Sequence, residues 1–225
     1  MVKTKLSFYG LSMLLALSSC HLAGQNDSAP EHSAQVPNLD VYDNCPLEGE
    51  GKSERIKELN KLKNRYAIPS QKDIDTSVTL EKLIAPGNDR TRWNTSHAAR
   101  IRGYISDVKV GGVETCNCKE KDKSIRDTHL EMVTDPMSNG KMQRMIIEVT
   151  PRLRELMKEQ GVDWNTTTLR DKLLGRWVQV EGWLLFDEEH EMASENTNPG
   201  NESNWRATAW EIHPITKLEI INRPR

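Results

Sequence analysis

The stretch Thr166–Asp187 constrains the fold most, because its apolar spacing changes from helical to extended within one continuous segment. Hydroxyls at Thr166–Thr168 are suited to cap the first turn of a helix. The apolar residues that follow at helical spacing are Leu169, Leu173 and Leu174. Gly175 then stands where a left-handed C-cap residue is expected. The stretch therefore predicts a short helix that ends near Gly175 and leads directly into a strand.

From Trp177 to Phe186 the side chains alternate with a period of two, which is typical of a β-strand with two distinct faces. One face carries Val178, Val180, Gly182, Leu184 and Phe186, and the other carries Trp177, Gln179, Glu181, Trp183 and Leu185. We predict that the face with Val180 points inward. Gly182 within the strand predicts a bend or a close backbone approach. A helix that leads into a bent strand is typical of a small closed barrel.

Four further strands are predicted around this unit. They are Ala99–Val108, Thr128–Val133 and Met145–Val149 before it, and Trp205–Ile212 after it, with Pro214 interrupting the last strand and Lys217–Ile221 extending the edge. A helix with Pro151 at its first position follows the third strand. This order is that of the OB-fold, a five-stranded Greek-key barrel. The sequence predicts a mainly β fold: a five-stranded OB-like barrel with an N-terminal α-rich extension and helices between strands three and four. Another small antiparallel barrel or a sandwich is the alternative.

The N-terminus has the pattern of a targeting segment. Lys3 and Lys5 precede the apolar stretch Leu6–Leu17, which is too short to span a bilayer comfortably. Small residues then lead to Cys20, an arrangement that resembles the lipobox of bacterial lipoproteins, in which the cysteine is lipidated. An ordinary secretory signal with an incidental cysteine is the alternative. His21 follows in place of an acidic residue, and by resemblance to the enterobacterial sorting rule this favours the outer membrane.

These signals divide the chain into four parts. We predict a lipoprotein signal peptide over residues 1–19, a flexible tether over 20–44, an α-rich extension packed on the barrel over 45–96, and the OB-like barrel over 97–225. Within the extension, Ser53–Arg65 is predicted to be a helix that Ser53 caps. Its apolar residues are Ile56, Leu59 and Leu62, three apart on one face. The protein should contact the membrane of the cell envelope through its lipid anchor.

Charge argues against one class of partner. The 225 residues carry 31 Lys and Arg against 33 Asp and Glu, for a net charge of −2. A protein that binds duplex nucleic acid usually has a strongly basic face, so we do not expect duplex nucleic acid as a partner. An unidentified ligand or an envelope protein is the expected partner.

Four segments resemble a group of functionally uncharacterised secreted bacterial proteins and lipoproteins with an OB-like domain. The segments are Cys45–Gly51, Ala98–Lys119, Asp127–Glu131 and Asn204–Ile220. The resemblance as a whole covers almost the entire chain after about residue 44. The resemblance implies the OB-like fold and implies no particular activity.

Cysteines and histidines supply the candidates for disulfides and metals. With Cys20 set aside, the disulfide candidates are Cys45, Cys116 and Cys118, and three thiols cannot all pair within one chain. The candidate metal ligands are Cys116, Cys118, His129 and His213. The spacing C-x-C differs from the paired C-x-x-C of zinc sites. We therefore expect no cofactor, and a bound transition metal is the alternative. A disulfide in the loop would explain the cysteines without any ligand.

A candidate binding surface follows from residues that share strand faces. His129 and Glu131 are two apart, as are Glu211 and His213, so each pair lies on one face of its strand. Imidazole and carboxylate groups suit binding or proton transfer. The candidate residues are His129, Glu131, Glu211, His213, Arg100 and Arg102. The alternative is that all are ordinary polar residues at strand edges.

A hydrolase interpretation depends on a second, fainter resemblance. The segment Arg144–Pro151 is similar to the arginine–strand–Thr-Pro segment of thermonucleases, which are also OB-folds, and Asp127 with Thr128 is similar to their Asp-Thr pair. Val149 stands where that family places a second metal-binding aspartate, and Arg152 where it places the carboxylate that acts on water. We therefore expect a non-catalytic domain that binds a ligand or partner, with no catalytic residue assigned. The alternative is a metal-dependent, phosphodiesterase-like hydrolase that uses a His/Glu/Cys cluster.

Overall fold

A computed structural model describes residues 37–138 and 140–224 of the chain. The predicted signal peptide, Cys20 and most of the predicted tether lie outside these residues. The elements are β1 (Val41–Tyr42), β2 (Cys45–Pro46), α1 (Glu54–Lys63), α2 (Leu80–Ile84), β3 (Ala98–Val110), β4 (Thr128–Val133), β5 (Arg144–Val149), α3 (Pro151–Glu159), α4 (Thr166–Leu173), β6 (Trp177–Phe186) and β7 (Trp210–Ile221). No helix within the described ranges is long and apolar enough to cross a membrane.

Strands β3 to β7 form a closed barrel in the order β3-β4-β5-β7-β6. Neighbouring strands are antiparallel, except that β5 and β7 run parallel. The long strand β3 closes the barrel, because its first part pairs with β6 and its second part pairs with β4. The predicted closed five-stranded barrel is therefore confirmed, and its sheet is mixed. Helices α3 and α4 lie between β5 and β6 in the chain.

Helix α4 ends as the sequence indicates but begins with a different cap. The Asn165 side chain accepts a hydrogen bond from a backbone N–H of the first turn, a role that we expected of the threonines. Leu169 and Leu173 are buried, whereas Leu174 is exposed. Gly175 adopts a φ of +76°, the left-handed conformation predicted there. The helix therefore packs on the barrel through two leucines and turns sharply into β6.

The alternation predicted for β6 holds from Trp177 to Leu184; beyond it Leu185, predicted on the outer face, is also fully buried and Phe186 is only partly buried. Val178, Val180 and Leu184 are buried inside the barrel. A Cβ on Gly182 would lie 2.3 Å from the carbonyl oxygen of Pro214, so only glycine allows β6 and β7 to approach so closely. The close backbone approach predicted at Gly182 is thus observed.

Strand β7 begins later and runs further than predicted. It spans Trp210–Ile221, so Trp205 lies in the preceding loop. Pro214 lies within the strand and does not interrupt it, and the His213–Pro214 peptide bond is cis. The β6–β7 register shifts between Gly182 and Leu184, so the ladder does not need an N–H donor from the proline.

Packed structure begins before the boundary predicted at residue 45. Leu39 is buried, and β1 pairs with β2. The Arg152 guanidinium donates to the backbone carbonyls of Leu39 and Cys45 at 2.9 and 2.6 Å and to Asn64 Oδ1 at 2.7 Å. Arg152 therefore links residues 39–45 and the end of α1 to the start of α3.

Helix α1 packs against the rest of the protein with a partly polar face. Ser53 caps it as predicted, since its side chain accepts a hydrogen bond from the backbone of Ile56. Leu59 is buried, but Ile56 and Leu62 are only partly buried. Asn60 and Lys63 are fully buried on the same side. The burial of a lysine indicates that α1 packs against a charged region of the barrel.

Candidate functional site

Five carboxylate side chains meet at one end of the barrel. The β3–β4 loop, residues 111–127, supplies Glu114 and Asp127; β5 supplies Glu148; Asp187 directly follows β6; and β7 supplies Glu211. The strand pairings bring the last residues of β3, β5 and β6 beside the first residues of β4 and β7. The Glu114 side chain is 19% exposed and the other four are buried. We call these five residues the acidic cluster.

Glu148 lies between two histidines. His129 is its cross-strand neighbour on β4, and His129 Nδ1 lies 3.2 Å from Glu148 Oε1. His213 Nδ1 lies 3.7 Å from Glu148 Oε2 and 3.1 Å from Glu211 Oε2. The parallel register of β5 and β7 explains why His213 lies beside Glu148. Glu211 pairs with Ile146, and His213 and Glu148 each stand two residues further along their strands. His129 and His213 therefore lie on the same side of the barrel and share one carboxylate.

Asp127 connects this group to the β3–β4 loop. Asn117 Nδ2 donates to Asp127 Oδ2 at 3.0 Å. The Cys116 thiol lies 4.0 Å from the same oxygen and 3.6 Å from Glu114 Oε2. Oxygen, nitrogen and sulfur donors are thus gathered within a small buried volume.

Buried cations balance part of the negative charge. Lys63, the last residue of α1, lies 2.7 Å from Glu114 Oε2 and 3.4 Å from Asp187 Oδ1. Arg206, in the β6–β7 loop (residues 187–209), donates to Glu211 Oε1 at 2.6 Å. In the described part of the chain, these two buried permanent cations pair with three of the five carboxyl groups of the acidic cluster. Carboxyl groups in the acidic cluster therefore outnumber its buried permanent cations.

Burial shifts the pKa values of Glu148, Asp127 and His129 toward their neutral forms. Burial, followed by the charges of Glu211 and Asp127, raises the pKa of Glu148 well above 4.5. Burial also raises the pKa of Asp127, although the charge of His213 opposes this. Burial lowers the pKa of His129 to about 4. Glu148 and His129 therefore both favour their neutral forms.

At Asp187 the effect of neighbouring charges on the pKa outweighs the effect of burial. Burial alone would raise its pKa, but the charge of Lys63 and a hydrogen bond with His190 hold the pKa well below its usual range. The same hydrogen bond, opposed by burial, raises the pKa of His190. Asp187, Lys63 and His190 therefore form an ionised group beside the neutral Glu148 and His129 pair.

A cavity of about 250 Å³ lies between the barrel wall and the β6–β7 loop. Trp205 lines it, and its ring centroid lies 5.7 Å from that of His129 and 5.9 Å from that of His190. The polar and charged side chains that line the cavity are Lys109, Glu114, His129, Glu148, His190, Arg206 and Glu211. The outer face of β4 and β5 is therefore enclosed at this end.

Two groups of side chains could each hold one cation. They are Asp127 with Glu148 and His213, and Glu114 with Cys116 and Asp127; within each group one donor atom per residue lies within 4.8 Å of the others. Several buried atoms here find no hydrogen-bond partner among the described residues: Asp127 Oδ1, Glu148 Oε2, His129 Nε2, His213 Nε2 and Arg206 Nη2. Because buried polar atoms are normally paired, their concentration in one place indicates room for a ligand.

Four of the six predicted binding residues lie in this region. His129, Glu211 and His213 contact Glu148 or one another directly. Glu131 lies on the same strand as His129 and forms an ion pair with Lys109 at 2.6 Å.

Arg100 and Arg102 lie elsewhere, where β3 pairs with β6. Arg100 Nε donates to Glu181 Oε1 and Arg102 Nε donates to Gln179 Oε1, both at 2.8 Å. Both arginines line a separate groove of about 500 Å³. The structure therefore does not bring them together with the acidic cluster.

The two cysteines predicted as metal ligands, Cys116 and Cys118, are in different chemical states. Cys118 forms a disulfide with Cys45, so its sulfur is not a free thiolate ligand. This pairing is one of those that the three disulfide candidates left open. Cys116 remains a buried free thiol at the edge of the acidic cluster, and burial raises its pKa well above the ordinary value.

Sequence reasoning missed Lys63, Asp187 and Arg206 as parts of the site. Two of them carried a usable signal. Lys63 lies one helical turn after Leu59, on the face that packs inward. Asp187 directly follows the buried end of β6, where a charged residue needs a partner. Arg206 stands in a polar loop and carries no such signal.

The sequence matches no known protein-family model and no curated protein. What the protein does must therefore be argued from the acidic cluster and its cavity.

Proposed function

We propose that this protein is a lipoprotein of the cell envelope, anchored through Cys20, whose OB-like barrel binds a ligand at the acidic cluster. The strand order β3-β4-β5-β7-β6 with a parallel β5–β7 contact supports the OB-like assignment. The residues around Cys20 favour the outer membrane. Non-catalytic binding is the primary proposal.

The observation that carries the binding proposal is the set of unpaired buried polar atoms around the cavity. Each buried polar atom without a partner costs about 1–3 kcal/mol, so residues kept only for stability would be paired. Unpaired and charged groups persist at sites where a ligand needs them. A ligand in the cavity or within the acidic cluster would supply the missing partners.

Metal-dependent, phosphodiesterase-like hydrolysis is a second candidate, favoured by the position of Glu148 and His129 at the cavity. A neutral imidazole beside a carboxyl group suits proton transfer. The route of the thermonucleases does not carry over, however. Val149 is buried in the apolar core, and the Arg152 guanidinium is occupied by Leu39, Cys45 and Asn64.

We expect Cys20→Ala to move the protein from the membrane fraction to the soluble fraction, because the acyl anchor is lost. Cell fractionation followed by immunoblotting measures this. Cys116→Ala, which removes a thiol that is not in the targeting segment, should leave the protein in the membrane. If Cys20→Ala is processed and retained like the wild type, the lipid-anchor proposal is wrong.

Replacing Glu148 with glutamine should stabilise the ligand-free protein by roughly 0.5–2 kcal/mol. The substitution keeps the shape of the side chain and removes the acidic group, whose Oε2 atom makes no hydrogen bond and which interacts unfavourably with the charges of Glu211 and Asp127. Calorimetry of chelator-treated full-length protein measures the change in the free energy of unfolding.

Glu159→Gln, an exposed exchange at the end of α3, is the matched control and should have an effect near zero. A clear loss of stability in Glu148→Gln would mean that Glu148 has a structural role. The binding-site proposal would then fail.

A further inference from the structure

We propose that Asp127, Glu148 and His213 bind one divalent transition-metal ion. This inference rests on the proposed function and names the ligand of the same site. The three side chains come from the start of β4, from β5 and from β7, which the barrel closure brings together. Their exposed fractions are 3%, 5% and 1%, so an ion held by them would be shielded from solvent.

The spacing of the donor atoms fits one ion. Each of the three residues offers one donor atom, and these atoms lie within 4.8 Å of one another. Ligand atoms bind zinc at about 2.0–2.2 Å, so small side-chain rotations suffice to bring all three onto one ion. The polar atoms Asp127 Oδ1, Glu148 Oε2 and His213 Nε2 find no hydrogen-bond partner among the described residues.

In each of the three residues one polar atom lies close to a polar neighbour, and the other makes no hydrogen bond to a described residue. Asn117 donates to Asp127 Oδ2. Glu148 Oε1 lies 3.2 Å from His129 Nδ1. His213 Nδ1 lies 3.1 Å from Glu211 Oε2, and Arg206 in turn donates to Glu211 Oε1.

This division of atoms is the second observation that points to a metal. Metal-binding histidines usually donate their other ring N–H to a carboxylate, which fixes the ring and its tautomer. The contact between His213 and Glu211 has that form. The partners of Asp127 and Glu148 orient their carboxyl groups in the same manner.

Charge and donor type narrow the class of ion. The excess of carboxylates over buried permanent cations favours a cation, and a divalent ion offsets more of the excess than a monovalent one. Calcium and magnesium prefer sites made of oxygen atoms alone. A histidine nitrogen, together with the Cys116 thiol 4.0 Å from Asp127 Oδ2, favours zinc or a neighbouring transition metal.

Three protein ligands leave room for a fourth. Structural zinc sites are usually closed by four protein ligands, whereas sites with three keep a position for water or a small molecule. Glu148 also lines the cavity, so a small molecule in the cavity would lie beside the ion. The geometry thus allows the metal to serve as the contact point for a further ligand.

Calorimetric titration of the full-length protein, purified in detergent and treated with chelator, tests the proposal with zinc chloride. We expect one equivalent to bind and the melting temperature to rise. Magnesium and calcium at the same concentration should have no comparable effect. Asp127→Asn and His213→Gln should abolish the site, and Glu211→Gln should weaken it by about 10- to 100-fold.

Asp75 and His97, a partly exposed pair whose Oδ2 and Nδ1 atoms lie 3.9 Å apart, provide matched controls. Asp75→Asn and His97→Gln should bind zinc like the wild type. If a cluster variant does not fold, cobalt in the wild type decides, since binding at the site gives the visible spectrum of a low-coordinate centre with oxygen and nitrogen ligands.

The metal inference and the proposed function can fail separately. If zinc and cobalt do not bind, or if Asp127→Asn and His213→Gln bind zinc like the wild type, the metal inference is overturned. If the metal inference is overturned but Glu148→Gln still raises the free energy of unfolding, the result supports a binding site for a ligand other than a metal. If Glu148→Gln destabilises the protein, the proposed function itself is lost.

Discussion

Replacing Val180 with aspartate should destabilise the protein by about 3–5 kcal/mol, because an unpaired charge would enter the apolar interior of the barrel. Val180 is fully buried on β6, where it pairs with Ile101 of β3 and Leu218 of β7. Aspartate would find no cation at that position and would also leave part of the volume of the valine unfilled. Chemical denaturation with urea measures the loss.

The neighbouring exchange Gln179→Asp is the control, because it places the same side chain on the opposite face of the same strand. Gln179 is partly exposed and accepts a hydrogen bond from Arg102, so an aspartate there would meet a cation. We expect a change below about 1 kcal/mol. Equal losses in the two variants would show that the inward and outward faces of β6 are misassigned.

Lys63→Met should cost about 3–5 kcal/mol at neutral pH, since it removes a buried cation and leaves carboxylates without their counter-charge. Methionine keeps much of the apolar stem of the lysine, so packing changes little. The charge of Lys63 helps to hold the pKa of Asp187 below its usual range against the opposing effect of burial. Urea denaturation over a range of pH measures both the loss and its pH dependence.

The sign of that pH dependence follows from Asp187. Its pKa is depressed in the folded protein, so its stabilising contribution is present above the ordinary value of 3.8 and is lost as the pH falls below it. The wild type should therefore lose stability in acid, and Lys63→Met should lose less. The difference between the two proteins should narrow as the pH falls.

Lys61→Met makes the same exchange two residues earlier on the same helix. Lys61 forms exposed ion pairs with Glu58 and Glu48, and such pairs contribute little. We expect a change below about 1 kcal/mol and no pH-dependent convergence with the wild type. A loss as large as that of Lys63→Met would mean that charge on α1 matters generally and that the buried contact of Lys63 has no special role.

The barrel could be predicted from sequence because its interior follows simple periodic rules. In β6 the alternation of Val178 and Val180 with polar neighbours identified the inner face, and Gly182 identified a close contact. These signals are local, since each depends on residues within one strand. The path of β7 was less accurate, because whether Pro214 interrupts a strand depends on the register of its neighbour.

The site was harder to predict because it is made of contacts between distant segments. His129, Glu211 and His213 were identified from their spacing within strands, yet their shared partner Glu148 becomes evident only when β5 lies between β4 and β7. Lys63 reaches the cluster from the end of α1, far away in the sequence. Such long-range pairing leaves no periodic pattern in a single sequence.

The outer face of a strand usually meets water, but the outer face of β4 and β5 is covered at one end. The β6–β7 loop folds over one end of β4 and β5, so Glu148 is buried and His129 nearly so. Burial without full pairing costs stability, which is the feature that distinguishes this region from the rest of the barrel. We infer that the cost is kept because a ligand binds there.

An anomalous difference map, collected at the zinc edge from crystals of the full-length protein grown with zinc, tests this conclusion most directly. We predict one strong peak about 2.0–2.2 Å from donor atoms of Asp127, Glu148 and His213. Peaks at exposed histidines such as His97, with none between these three residues, would contradict the assignment of the acidic cluster as a metal site.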